Sequence, residues 1–402
     1  MMKNRSTRRR FMKRAALLPT TVTIFANGSW NKVARAAESK IDRAHLGGVR
    51  RPSGVRQTDI LFDRSSYTAF PHIERLEGDE ILIVFRQAPR QKRVRHTHPS
   101  SIITVMRSYD LGETWETKDA TQLAAGGGQE FAPIYLGQGH VGGLLAMHEV
   151  VPVVDAGRSG IPHRHEYEYP FSNVGGFWCW SDNYGLTWQL HHAVLFAPGL
   201  QTCAAPIKLE SGKLLAPCYG GLADDEAASN VLYHSDDYGK TWSGQMVITR
   251  GSKNTRSYYE PCLLELRPDH LLGMHRMGQS QNKRDGLFWR NESMDGGKTW
   301  SDPVETDILS GACPRLLKLS DGRVLLTYGR RYPPYGIYAR ISSDGGTTWG
   351  ETAWLLRETP NGDQGYSSSL EIKPGRIFTT CYAQNAEAVT GITGTFWDLP
   401  QG

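Results

Sequence analysis

Long runs of apolar residues at helical spacing are scarce in this chain, which weighs against a helical core. Cysteine is scarce too. The six residues, Cys179, Cys203, Cys218, Cys262, Cys313 and Cys381, are scattered without any C-x-x-C spacing, an argument against a zinc site or a dithiol redox motif. Most lie in apolar strand patterns and read as buried thiols, with one or two disulfides open to them after export. Ala15 to Ala26 is too short and too polar to span a membrane permanently. Asp and Glu are absent from the first 36 residues, which hold nine Lys and Arg. Removing them leaves 46 − 9 = 37 basic against 41 acidic residues, a net charge of −4. The formal +5 therefore belongs to the N-terminal segment and gives no reason to expect nucleic-acid binding.

That segment has its own pattern. Thr7-Arg8-Arg9-Arg10-Phe11-Met12-Lys13 fits a twin-arginine signal, R-R-x-F followed by an apolar residue and lysine, and Ala34-Arg35-Ala36 supplies an A-x-A cleavage site. The expected division is a signal peptide over 1–36, a linker over 37–57 and one folded domain over 58–402. The protein is expected in the periplasm or secreted, with the twin-arginine export machinery as a partner and no stable membrane span.

Trp, Tyr, Gly and Thr are plentiful, which favours an all-β protein. An eight-residue pattern, S-x-D-x-G-x-T-W, occurs at Ser108 to Trp115, Ser235 to Trp242, Ser293 to Trp300 and Ser342 to Trp349, and again at Ser181 to Trp188 with Asn183 in the aspartate position. The starts are 73, 54, 58 and 49 residues apart, the length of one small sheet per repeat. The Asp or Asn accepts backbone N–H groups just after it, the glycine allows positive φ, and the tryptophan returns to an apolar layer. These Asp boxes are structural staples and carry no chemistry.

A second repeat runs out of phase with the first: a proline, alternating apolar residues, a turn and an apolar strand. It covers Pro71 to Arg86, Pro133 to Glu149, Pro206 to Tyr219, Pro261 to Arg276 and Pro314 to Arg330, and Gly365 to Ile372 opens a sixth unit with Ser367 in place of proline. No unit buries both faces alone, so the sequence predicts a six-bladed β-propeller. Thr58 to Ser66 is expected to supply the outer strand of the last blade and close the ring. Two long insertions, Arg86 to Ser100 and Val150 to Ser172, are candidates for functional loops.

Aligning the units places Phe70, Ala132, Ala205, Glu260, Cys313 and Tyr366 at one level of the channel, and Arg86, Glu149, Tyr219, Arg276, Gly329 and Tyr382 at another, with Arg330 and Arg331 next to Gly329. Arg86, Arg276 and one of Arg330 and Arg331 converge, on this register, on one carboxylate; the alternative is that each pairs with a neighbouring acid such as Glu149 or Glu260. Glu260 and Tyr366 are placed to touch across the channel. A phenol bonded to a carboxylate is a better nucleophile, and nearby arginines are expected to lower its pKa; a hydrogen bond that only satisfies two buried groups is the alternative.

Asp boxes together with Tyr259-Glu260-Pro261, Leu272-Gly273-Met274-His275-Arg276 and Gly365-Tyr366-Ser367 resemble the sialidase superfamily over roughly residues 58 to 398. The resemblance implies a retaining exo-glycosidase: Tyr366 as nucleophile, Glu260 as its base, and Arg276 and Arg331 in a clamp on the sugar carboxylate. A neutral phenol approaches an anionic anomeric centre without charge repulsion, and sialidases use tyrosine where other glycosidases use a second carboxylate. Two departures stand out. The family's R-I-P arginine is missing from Ala69-Phe70-Pro71, with Arg86 as a substitute, and the loop Gln87 to Pro99 has no Asp or Glu to act as general acid. It offers His96 and His98, of which His98 is the expected proton donor.

The expected substrate is a glycan ending in sialic acid or a uronic acid, with Arg330, Glu149, Tyr219 and Tyr382 as further sugar contacts and no cofactor. A uronate lyase using Tyr366 and a histidine, and a non-catalytic carbohydrate-binding propeller, are the alternatives. His163 and His165 with His96 and His98 lack Cys or Asp at ligand spacing, so no metal is expected. Tyr167 and Tyr169 are candidate sugar-stacking residues.

Overall fold

Each Asp box forms the same closed turn. In blade 4, Ser293 Oγ donates to Asp295 Oδ1 at 2.8 Å and accepts Gly297 N–H at 2.9 Å, while Asp295 accepts Thr299 N–H at 2.9 Å and Thr299 Oγ1 at 2.6 Å. Asn183 keeps the arrangement, accepting Thr187 N–H through Oδ1 and donating to Thr187 Oγ1 through Nδ2, both at 2.9 Å. The turn returns the chain with a tryptophan aimed inward, and Trp115, Trp188, Trp242, Trp300 and Trp349 each pack against a different apolar cluster. The box thus seals the sheets to one another.

The computed structural model describes residues 48–401 apart from 92–95, 151–170, 223–226, 253–255 and 279–285. It contains six sheets, antiparallel apart from one added edge strand, arranged as a six-bladed β-propeller. The inner strands, one per blade, are Ser66–Arg75, Gly128–Gly137, Ile207–Lys208, Ser257–Arg267, Arg315–Lys318 and Gly365–Lys373. Every blade continues through a hairpin to a second and third strand. An outer strand follows the Asp box in blades 1 to 5.

Blade 6 has no Asp box and takes its outer strand from the N-terminal side: Arg56–Leu61 pairs antiparallel with Thr390–Asp398, Arg56 opposite Phe396. The closing strand is the one expected, shifted a little toward the N-terminus. The linker is shorter than expected, because Val49–Arg50 also pairs in parallel with Ala353–Glu358 and adds a fifth strand to blade 5. Both pairings satisfy backbone groups on what would be open sheet edges.

All six cysteines are buried and free. Among the described residues no helix is long and apolar enough to cross a membrane. The predicted signal segment, His163, His165, Tyr167 and Tyr169 lie outside the described residues.

Candidate active site

The channel mouth is built at irregularities in three inner strands. Pairing shifts register between Ala69 and His72, between Tyr259 and Cys262, and between Gly365 and Ser368. At each shift one non-glycine residue is held at positive φ: Phe70 at 60°, Glu260 at 50° and Tyr366 at 48°. Left-handed backbone is costly for large side chains and persists where surrounding structure enforces it, often at functional sites. These three residues share one level in the alignment of the blades, and their side chains come together.

The Tyr366 hydroxyl donates to Glu260 Oε1, and Arg276 Nη1 donates to both Glu260 oxygens at 2.9 Å each. The Arg331 guanidinium lies 5.6 Å from the Tyr366 ring centre; its Nη2 donates to the Tyr382 hydroxyl at 2.7 Å and its Nε to the Gln364 carbonyl at 3.1 Å. Phe70 packs 4.7 Å from Tyr366 and 5.5 Å from Tyr382, centre to centre. Glu260 is 4% exposed and Tyr366 7%, so a phenol, a carboxylate and two guanidinium groups share a nearly dry site.

Burial is the largest influence on Glu260 and pushes its pKa up, but Arg276, the Tyr366 hydroxyl and Arg331 together hold the carboxyl below the usual value. The Tyr366 phenol is shifted the other way from the sequence expectation. Burial and the Glu260 charge raise its pKa well above 10, and Arg276 and Arg331 offset only part of that. The resting pair is therefore a neutral phenol donating to a carboxylate, and the phenol becomes a nucleophile only as Glu260 takes its proton.

Of the two adjacent arginines, Arg331 faces the site. Arg330 does not: its Nη2 donates to the Pro333 carbonyl at 3.1 Å, and its charge acts on Tyr328 and Tyr338 inside blade 5. Consecutive side chains point to opposite faces of a strand, so the two cannot both line the mouth.

Glu149 is exposed and also misses the mouth. The blade 2 hairpin is short, with Pro133 opposite Gly143, and its second strand runs on to Val150, which carries Glu149 past the channel level. His148 is buried instead, its Nε2 2.7 Å from Gln201 Nε2. Tyr219 joins this wall, donating to Gln201 Oε1 and packing edge-on to Tyr259 at 5.9 Å.

His98 is held in a turn, where its Nδ1 accepts Ser100 N–H at 3.0 Å. His96 is the histidine brought to the site. Its ring is edge-on to Phe70 at 5.2 Å, and its Nε2 lies 3.7 Å from Asp363 Oδ1, which also accepts the Tyr67 hydroxyl at 2.9 Å. Burial lowers the His96 pKa, Asp363 opposes the change, and Arg331 and Arg86 add to it.

Arg86 is also displaced from its expected role. It is fully buried opposite Ala69, yet its electrostatic neighbours are Tyr67, His96 and His148 rather than Glu260 and Tyr366. The three expected arginines thus divide into the pair Arg276 and Arg331, and Arg86 alone.

Beneath the site, His72 Nε2 and Arg315 Nη2 reach Glu130 Oε1 at 2.7 Å and 3.3 Å. Cys203 and Cys313 lie with their sulfurs 3.5 Å apart, and both are within 4.8 Å of a Glu260 oxygen. Arg276 on Glu260 and Arg315 on Cys313 surround this trio with positive charge, which opposes a bound cation.

Sequence reasoning missed Tyr67, Asp363, His148 and Gln201. Asp363 stands three residues before Tyr366 and was open to notice. His148 follows from strand alternation once the hairpin length is known.

The six-bladed propeller stapled by Asp boxes is a fold shared with solved sialidases. The chain belongs to the BNR repeat-like domain family, whose profile matches residues 172–378. Among solved structures it is similar to a protein of unknown function from Dyadobacter fermentans, with a TM-score of 0.74 and 23% identity over 87% of this chain and 100% of that one. A sialidase from Streptococcus pneumoniae gives 0.61 and 14%, over 85% and 70% of the two chains. An α-L-arabinanase from Penicillium chrysogenum gives 0.59 and 14%, over 85% and 97%. No curated protein sequence matches the chain. These identities establish a shared fold.

Proposed function

We propose that the protein is a retaining glycoside hydrolase that removes a terminal acidic sugar from a glycan, working outside the cytoplasm after twin-arginine export. The observation that carries this reading is the Tyr366 phenol hydrogen-bonded to an ionised, buried Glu260 between Arg276 and Arg331. Two guanidinium groups at a channel mouth suit a planar carboxylate. Arg276 uses only Nη1 on Glu260 and its side chain is 26% exposed, so its remaining donors have access to the mouth.

With the sugar carboxylate on the two arginines, Tyr366 Oη attacks the anomeric carbon as its proton passes to Glu260. The bond to the leaving oxygen breaks and that oxygen takes a proton, for which protonated His96 beside Asp363 is the donor. A glycosyl-tyrosine results. Water then attacks the anomeric carbon, its proton returns to His96, and Tyr366 leaves with the proton held on Glu260. The structural likeness to sialidases supports this chemistry without naming the sugar.

The test is a panel of glycans ending in sialic or uronic acids, assayed for released monosaccharide, with a fluorinated acidic sugar as a trap. The expected results are a covalent adduct on the peptide containing Tyr366, and loss of release in Tyr366→Phe. Turnover that yields an unsaturated uronate would mark a lyase. Binding across the panel without turnover would mark a carbohydrate-binding propeller.

A further inference from the structure

Among the described residues the other buried arginines each have an acceptor: Arg107 has Glu80, Arg315 has Glu130, Arg330 has the Pro333 carbonyl and Arg340 has the Gly350 carbonyl. Arg86 differs. It is 0% exposed, and its Nε, Nη1 and Nη2 all lack a hydrogen-bond partner among the described residues. Burial lowers its pKa only to about 10, so it stays charged at neutral pH. An unpaired buried guanidinium is costly, and a bound anion would offset that cost.

His148 carries a second unmet donor. The Tyr219 hydroxyl donates to Gln201 Oε1, so Gln201 Nε2 is the amide donor facing His148 Nε2 at 2.7 Å. His148 Nε2 must then accept, which puts the ring proton on Nδ1, and Nδ1 is buried without a partner. Arg86 and His148 lie on strands that both contact Gly128–Gly137 where blades 1 and 2 join. Arg86 pairs with Ile103 on the strand that follows Ser101; Ser101 Oγ donates to the Gly128 carbonyl at 3.0 Å, and His148 N–H donates to the Gly127 carbonyl at 2.9 Å. The Arg86 charge also contributes to lowering the His148 pKa to about 3, after burial, so the ring is neutral and keeps one N–H.

We propose that Arg86 and His148 form an anion site separate from the Arg276 and Arg331 pair, taking a small anion that accepts N–H hydrogen bonds. The anion is a free halide or a second acidic group carried by the substrate. The substrate alternative rests on the glycosidase reading; the halide alternative does not.

The experiment has two arms. In the first, crystals of the full protein grown in bromide are examined for an anomalous peak between Arg86 and His148, and melting is compared in chloride and gluconate at matched ionic strength. A halide site gives the peak and a chloride-specific rise of about 1–3 °C near tenfold saturation, absent in Arg86→Gln. In the second, glycans with one and with two acidic groups are titrated into Tyr366→Phe. A substrate site makes the two-acid glycan bind about 10- to 100-fold tighter, and Arg86→Gln removes that advantage. The proposal is overturned if bromide leaves no peak, chloride gives no shift, and the second acidic group brings no gain in affinity. The bromide result needs no variant, so a folding failure of Arg86→Gln does not obscure it. Absence of turnover by the wild type refutes the glycosidase reading and leaves the first arm standing.

Discussion

Replacing Glu260 with glutamine removes one negative charge from between Arg276 and Tyr366 and changes the shape of the side chain very little. The carboxylate is 4% exposed and accepts two hydrogen bonds from Arg276 Nη1 at 2.9 Å and one from Tyr366. In Glu260→Gln one of those oxygens becomes an N–H donor facing another donor. Breaking a buried ion pair from one side costs about 3–5 kcal/mol. Arg276 is 26% exposed and water restores part of its solvation, so about 2–3 kcal/mol is the expected loss here. A domain of roughly 350 residues unfolds with an entropy of about 0.7 kcal/mol/K, so melting should fall by about 3–4 °C in calorimetry. The catalytic effect should be larger, because the phenol loses the base that takes its proton: about 10²- to 10⁴-fold in kcat. Adding Tyr366→Phe to Glu260→Gln should cost little further activity, since the two act in one step. A variant that melts within 1 °C of the wild type, or keeps kcat within about threefold, would refute the account of Glu260 as an ionised base locked between its partners.

The pH profile follows from the same groups: Glu260 must be ionised and sits below 4.5, while His96 must be protonated and sits below 6.5, so kcat/KM should form a bell with both limbs on the acid side of 6.5, and His96→Phe should abolish the upper limb. Glu74 is raised from 4.5 to about 7, chiefly by burial, with the Tyr135 N–H opposing. Its contribution to stability is therefore complete below 4.5 and lost as pH rises through about 7; Glu74→Gln should stabilise the protein by about 1–2 kcal/mol in urea unfolding at pH 8.5, after allowance for partial exposure, with little change at pH 4.5. Arg8→Lys with Arg9→Lys should leave the precursor in the cytoplasm, whereas wild-type mature protein should begin at Ala37 on N-terminal sequencing; an unprocessed exported chain would contradict the signal.

Blade number, Asp-box turns and the closing outer strand were legible in the chain because they arise from local, repeated chemistry. Serine, aspartate, glycine and threonine satisfy one another within eight residues, and each box reads the same whatever surrounds it. Tyr366 and Glu260 at one level of the repeated hairpin, and Arg276 at a second, were legible for a related reason: the same two levels recur in every blade. The reading failed where hairpin length varied. The blade 2 hairpin shifts the register, puts His148 inside and leaves Glu149 in solvent.

What the sequence determined by itself is the scaffold and the set of chemical groups at two levels of the channel. Tertiary structure alone decided which groups work together: Arg331 rather than Arg330, His96 rather than His98, and Arg86 apart from the other two arginines. Those choices depend on contacts between residues from different blades, such as Tyr366 with Glu260 and Asp363 with Tyr67, 106 and 296 positions apart. They depend also on burial, which outweighs the arginine charges and keeps the Tyr366 phenol neutral. No local pattern encodes either quantity, because both are set by how six sheets close on a common axis.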